Sequence, residues 1–163
     1  MSGIIHIEPL TVAAFAPFGD VLDVSGEPDK IINQGLCGRY HDRAAVDVTD
    51  GKAGISLFNA QARQLPLVLD MVERHPDGSQ AFLPMSFSPF LVIVAPDENG
   101  KPGRPRAFLS TAGQGVNYHR GTWHGVLTPL HAPGLFAVID RIGAGDNLQE
   151  HWFDTPFTVE NKV

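Results

Sequence analysis

The sequence predicts an all-β fold, and three observations carry that expectation. First, 17 glycines and 13 prolines cut the 163 residues into short pieces. Second, most of those pieces are short apolar runs with strand character rather than helical periodicity. Third, polar clusters rich in Gly, Pro, Asn and Asp stand between them, as turns require. A β-sandwich, a jelly roll and a small barrel all satisfy this pattern. With 43% hydrophobic residues the length fits one domain, residues 1–163, able to bury a sizeable core. No repeat, composition shift or long charge run marks an internal boundary.

In chain order, "LTVAAFAPFGDVLDV" offers Thr11 as the N-cap of a short Ala-rich helical turn that Pro17 and Gly19 end. A strand through Val21, Leu22 and Val24 follows. One or two such short helices are all that is expected. "GISLFNA", "QAFLPM", "PFLVIVA", "RAFLS", "GVLTPL" and "GLFAVIDR" read as strands. "DVTDGKAG" is a polar connection, and "DENGKPGRP", Asp97 to Pro105, is an exposed hairpin loop. "QLPLVLDMVERHPDG" could pass for an amphipathic helix. At period two, however, Leu65, Leu67, Leu69 and Met71 share one face, continued by Glu73 and His75, with Val68, Asp70, Val72 and Arg74 opposite. That pattern predicts a strand ending in the turn "HPDGS", shaped by Pro76 and Gly78. Phe82, Phe90, Phe108 and Phe136 are expected in the core, and Trp123 as a barrel plug.

Charge and termini exclude several classes. Twelve basic residues against 18 acidic ones leave a net charge of -6, which argues against a nucleic-acid partner. "MSGIIHIEPL" lacks a basic leader and carries His6 and Glu8, and no apolar run approaches membrane-spanning length. A cytoplasmic protein with no membrane partner is expected. The one cysteine, Cys37, forms no internal disulfide and offers no Cys-rich metal site; it reads as a small apolar or inert loop residue. His6, His131 and His151 stand in terminal or loop contexts and read as incidental.

The chemistry concentrates in two strings. "ERHPDGSQ" holds Glu73, His75 and Gln80; "HRGTWH" holds His119, Gly121 and His124. Together they resemble the paired motifs of cupin-type jelly-roll metal sites, His-x-His with a later Glu or Gln and Pro-x-Gly-x-x-His. Glu73 stands where the first histidine would be and His119 where the proline would be. Either half alone is a weak signal, whereas both in one all-β chain are more specific. Glu73, His75, Gln80 and His124 are therefore the candidate metal ligands, with a backbone-bonding role as the alternative for Gln80. Gly121 reads as a backbone angle that other residues tolerate poorly.

A longer match covers the chain from about Ile4 to Phe157. "GLCGRYHD", "MVERHPDGSQAFLPM", "GQGVNYHRGTWHGVL" and "VIDRIGAGDN" are similar to the ureidoglycolate lyase family. The resemblance implies a cupin-like jelly-roll β-barrel, usually a homodimer. It also implies cleavage of (S)-ureidoglycolate to glyoxylate and urea in allantoin catabolism, and a divalent metal, nickel, as cofactor. Imidazole and oxygen ligands suit nickel, although spacing does not choose among Ni, Mn, Fe and Zn.

That substrate carries a carboxylate, a hydroxyl and a urea nitrogen on one carbon, so its cleavage sets three tasks. A base takes the hydroxyl proton, an acid protonates the departing urea nitrogen, and cations or donors hold the carboxylate. His119 is the first candidate for base or acid. His75 and His124 hold a metal or, without one, donate to a substrate oxygen. Arg39, in the polar cluster "RYHD", is the first candidate for the carboxylate clamp and Arg120 the second. Tyr40, Tyr118 and Asn117 could donate to the urea carbonyl or the carboxylate, and His41 with Asp42 reads as a local pair. Rival expectations are hydrolysis of the same substrate with ammonia release, another metal-dependent cupin enzyme, and a small-ligand-binding cupin without catalysis.

Overall fold

A computed structural model describes residues 3–162. The chain opens with β1 (Ile4–Pro9), the single helical turn α1 (Val12–Phe15) and β2 (Gly19–Leu22). A hairpin of β3 (Lys30–Ile32) and β4 (Cys37–Arg39) follows, then β5 (Lys52–Ala60), β6 (Leu67–Arg74), β7 (Gln80–Pro84) and β8 (Phe90–Ala95). The short pair β9 (Asp97–Glu98) and β10 (Lys101–Pro102) precedes β11 (Arg106–Leu109) and β12 (Gly115–Tyr118). β13 (Trp123–His124) and β14 (Thr128–Pro129) lead to the long closing strands β15 (Gly134–Ile142) and β16 (Gln149–Glu160).

Six strands close on themselves in the order β11-β1-β16-β6-β13-β8, with β8 paired back to β11. A second, antiparallel sheet of five strands, β2-β12-β7-β15-β5, packs against this barrel. This is the all-β, cupin-like jelly roll expected from the sequence. Its two layers make two cores. One draws Ile5, Leu67, Leu69, Val72, Leu91, Ile93, Ala95, Ala107, Trp123 and Val159 from all six barrel strands and none from the other sheet, so it fills the barrel. The other joins Phe90, Val92, Val94 and Phe108 to Phe82, Val116, Tyr118, Phe136 and Val138 across the two sheets. β8 is therefore covered on both faces, which is why "PFLVIVA" reads as one unbroken apolar run. Trp123 plugs the barrel, and all four expected phenylalanines lie in the inter-sheet core.

Local signals behave as their chemistry dictates. The Thr11 hydroxyl accepts from the Ala14 amide at 3.2 Å and starts α1, the only helix among the described residues. Asn99 and Gly100, with φ of 55° and 85°, form the turn between β9 and β10, as a two-residue hairpin requires. Among the described residues no helix is long and apolar enough to cross a membrane.

Three expectations are corrected. "GVLTPL" is not one strand: β13 and β14 both pair with β8, but three residues separate His124 from Thr128 where two separate Val94 from Leu91. The extra residue forms a bulge that turns Val126 outward, and its carbonyls are satisfied locally by His124 Nδ1 and Thr128 Oγ1. "QLPLVLDMVER" is a strand, yet its faces change over. Leu67 and Leu69 enter the barrel core and so does Val72, so the alternation slips by one residue at Asp70–Met71. The partner strand β16 loses register at the same level, where Leu69 opposes Phe157 and Met71 opposes Trp152. Finally, His6 and His151 lie in strands β1 and β16 rather than in loops.

Candidate metal centre

The slip in β6 turns Glu73 and His75 away from the barrel interior and toward the second sheet, while Arg74 stacks on the barrel-filling Trp123 with its guanidinium 4.3 Å from the ring centre. His124 of β13 stands in register with Glu73. From the opposite layer, Tyr118 of β12 stands in register with Gln80 of β7. Four strands thus converge between the sheets.

One ligand atom from each of Glu73, His75 and His124 lies within 4.8 Å of the others. Ligands of a single ion bonded at roughly 2.1 Å are separated by at most about 4.2 Å, so small side-chain adjustments suffice. The hydrogen bonds settle which atoms point inward. His75 Nδ1 faces the Asn147 carbonyl at 2.8 Å and His124 Nδ1 faces the Gly125 carbonyl at 2.9 Å. A carbonyl only accepts, so both Nδ1 atoms carry the proton and both Nε2 atoms present lone pairs. Gln80 Nε2 donates to Asp140 Oδ2 at 3.0 Å, which turns its Oε1 the other way. His75 Nε2, His124 Nε2 and Gln80 Oε1 are buried without any hydrogen-bond partner. Buried polar atoms are otherwise almost always paired. A set of unpaired lone pairs beside a carboxylate is an arrangement that a cation would complete.

The electrostatics agree. Burial, with a smaller contribution from His75, pushes the His124 imidazole down to about 3, so it is neutral and ready to ligate. Burial also raises the Glu73 carboxyl, with nearby Glu150 adding to the shift and His75 opposing it. Tyr118 stacks on His124, and burial and the Glu73 charge both raise its phenol, keeping it protonated.

His119 is not in this group. Its Nε2 lies 3.0 Å from Asp20 Oδ2, the same oxygen that accepts from Asn117 Nδ2 at 3.0 Å. Val116 and Tyr118 occupy the inter-sheet face of β12, so Asn117 and His119 stand on its outer face. There His119, Asp20, Ala45, Asp47, Ser79 and Arg120 line a cleft of about 440 Å³. Arg120 makes a two-pronged bond to Asp47 and a third to the Pro76 carbonyl, so its fork already has a partner. Gly121, at φ 73°, shapes the turn between His119 and Trp123 and donates to the His75 carbonyl.

Arg39 and Tyr40 belong to the β3–β4 hairpin segment, whose bonds are internal. Tyr40 Oη donates to the Gly26 carbonyl, and Asp29 receives the His41 amide and pairs with Arg43. Arg39 is exposed and its backbone pairs with Lys30, while among the described residues its side chain makes no hydrogen bond or ion pair. No hydrogen bond or ion pair among the described residues joins this hairpin to the buried histidines or His41 to Asp42; the bond from His41 to Asp29 comes from its backbone amide. Sequence reasoning missed Asp20, Asp140 and Asn147, because each meets its partner from far along the chain. The one available signal was "VIDRIGAGDN", a distinctive string whose polar residues had no assigned role.

A closed β-barrel backed by a second sheet defines a cupin-like protein, and the carboxylate and two imidazoles gathered between the layers are a triad with the composition and spacing to hold a metal ion. Residues 2–160 match the ureidoglycolate lyase family. The ureidoglycolate lyase of Rhodobacter capsulatus is 64% identical over 155 residues, covering 94% of this chain and 96% of that protein. The ureidoglycolate lyase of a Chelativorans species is 53% identical, covering 93% of each chain. Ureidoglycolate lyase 2 of Rhizobium meliloti is 51% identical over 94% of this chain and 96% of its own. The chain belongs to the ureidoglycolate lyase family.

Proposed function

We propose that this protein is a ureidoglycolate lyase that splits (S)-ureidoglycolate into glyoxylate and urea, a step of allantoin catabolism. Family membership over almost the whole chain supports the substrate, and the observation that carries the site is the set of buried, unpaired atoms on His75, Gln80 and His124. Glu73, His75, Gln80 and His124 fit a divalent ion, nickel by the family likeness, and such an ion when bound supplies Lewis-acid polarisation of hydroxyl and carboxylate oxygens.

This chain's own groups supply the rest. As the substrate hydroxyl loses its proton, the carbon–oxygen bond becomes the carbonyl of glyoxylate. The carbon–nitrogen bond then breaks, and the urea nitrogen takes up a proton. The proton steps are assigned to His119, whose Nε2 is held by Asp20 and whose half-exposed side chain lines the cleft. Tyr118, a neutral phenol beside Glu73, is the alternative donor on the buried side, and Asn117 donates to Asp20. For the carboxylate, Arg39 is proposed over Arg120 because the Arg120 fork is engaged by Asp47. Tyr40 accompanies Arg39 on the same hairpin.

The reading extends to assembly and location. A homodimer is supported by the outer face of the five-stranded sheet. There Ile55 and Leu57 are exposed opposite Ile139 and Ala137, and exposed Leu83 pairs with Ala137 on the other side. One domain spanning residues 1–163, in the cytoplasm, completes the proposal. The test is an assay with (S)-ureidoglycolate that follows glyoxylate, urea and ammonia separately. Glyoxylate and urea in equal amounts without ammonia are expected; ammonia release instead of urea would mean hydrolysis.

A further inference from the structure

The string "VIDRIGAGDN", Val138 to Asn147, supplies no metal ligand and no group to the proton steps. It nevertheless touches two of the four ligands. We propose that Asp140 and Asn147 are positioning residues of the metal centre, each aiming one ligand atom into it. This rests on Glu73, His75, Gln80 and His124 being a metal-ligand set.

Asp140 acts on Gln80. A side-chain amide has a donor end and an acceptor end, and either can face inward. The Asp140 carboxylate accepts from Gln80 Nε2, so the donor end is held outside and the unpaired Oε1 is the end left facing the buried space. Without that carboxylate the amide is free to present NH₂, which cannot ligate.

Asn147 acts at two points around His75. Its backbone carbonyl accepts a hydrogen bond from His75 Nδ1, and its side-chain Oδ1 accepts from the Asp77 amide at 2.7 Å, which holds that backbone carbonyl in place. One residue thereby grips both sides of the turn after His75, fixing the tautomer and the ring direction. Its loop is itself tethered, since Arg141 Nη2 donates to the carbonyls of Ala144 and Asp50 and Nε to that of Thr49. Half-buried Asn147 stands out among exposed neighbours from Ile142 to Glu150, as a clamp would. Such outer partners commonly change metal affinity by about 10- to 100-fold.

Ni(II) affinity, read by calorimetric titration of the full chain, tests this, with Co(II) absorption reporting ligand geometry. Asn147→Ala is expected to weaken Ni(II) binding by about tenfold or more and to alter the Co(II) spectrum. Asn147→Asp keeps an acceptor oxygen in place and is expected to stay near wild type, a rescue that a general loss of stability would not produce. Asp140→Asn, whose amide can pair with Gln80 Oε1, is expected to weaken binding similarly; if it fails to fold, Asp140→Ser, which shortens the side chain and removes the carboxylate, takes its place. Wild-type affinity and unchanged Co(II) spectra in Asn147→Ala would overturn the Asn147 role, and the same result in the Asp140 variant would overturn the Asp140 role, while leaving the metal centre standing. Failure of the wild type to take up Ni(II), or undiminished uptake by His124→Ala, would overturn the metal centre and this inference with it.

Discussion

Tyr118 lies flat against His124, with ring centroids 4.2 Å apart and planes only 4° from parallel. The two residues come from different sheets, so this stack is the point where the layers of the fold meet the candidate centre. It holds His124 in one orientation, and the Gly125 carbonyl fixes its proton on Nδ1. The Nε2 lone pair is left facing His75, whose ring centre lies 5.2 Å away.

Replacing His124 therefore removes a candidate ligand and half of the stack. His124→Ala is expected to bind no nickel after desalting and to turn over (S)-ureidoglycolate at least about tenfold more slowly. Chelator treatment of the wild type should produce the same loss, reversed by added Ni(II). Full activity in the chelated enzyme, with metal content measured on the same sample, would remove the metal from the reaction.

His119 stands apart from the ligand set, so its substitution should separate chemistry from metal binding. His119→Ala is expected to lower turnover by about 10²-fold, as loss of an acid–base group does, while nickel content stays at the wild-type value. Asp20→Asn should lower turnover less and shift its pH profile, because the imidazole loses the carboxylate that holds its Nε2. Unchanged turnover in His119→Ala would return the proton steps to the buried side, where Tyr118 is the available group.

Stability should depend on pH through Glu8 and Arg106, which bond twice, at 2.8 and 3.1 Å, and tie β1 to β11. The Arg106 hydrogen bond holds the Glu8 carboxyl below its ordinary 4.5. A carboxyl lowered by folding contributes its full stabilisation above that ordinary value and loses it as pH falls through the lowered one. Wild type is thus expected to melt higher than Glu8→Gln at pH 7, with the gap closing below pH 4.5. The effect is modest, since both side chains are more than a third exposed. Melting curves across that range check it, and a constant gap would show that the carboxylate charge is not the cause.

The single helical turn should matter beyond its length. Phe15 is fully buried and meets Phe18, Phe108 and Tyr118 at ring distances of 5.9 to 6.2 Å. Phe15→Ala should cost about 3–5 kcal/mol in denaturant unfolding, because a rigid two-layer core collapses poorly into the space. The same variant should loosen the Tyr118–His124 stack and weaken nickel binding.

Much of this was legible in the sequence because it rests on local rules. Glycine and proline punctuation, the Thr11 cap, the Asn99–Gly100 turn and the unbroken apolar run of β8 each act within a few residues. The spacing of Glu73, His75, Gln80 and His124 was readable for the same reason, since strand alternation and a tight turn leave few ways to arrange them. What the tertiary structure alone decided depends on partners distant along the chain. The face that Glu73 and His75 present reverses because of an irregularity shared with β16, at the far end of the chain. His119 is drawn to the outer face of its sheet by Asp20, which comes 99 residues earlier. Asp140 reaches Gln80 through the pairing of β15 with β7, and Asn147 reaches His75 because it precedes β16, which pairs with β6. Sequence periodicity sets what each strand can present, and the pairing of strands across the two layers sets which of those side chains meet.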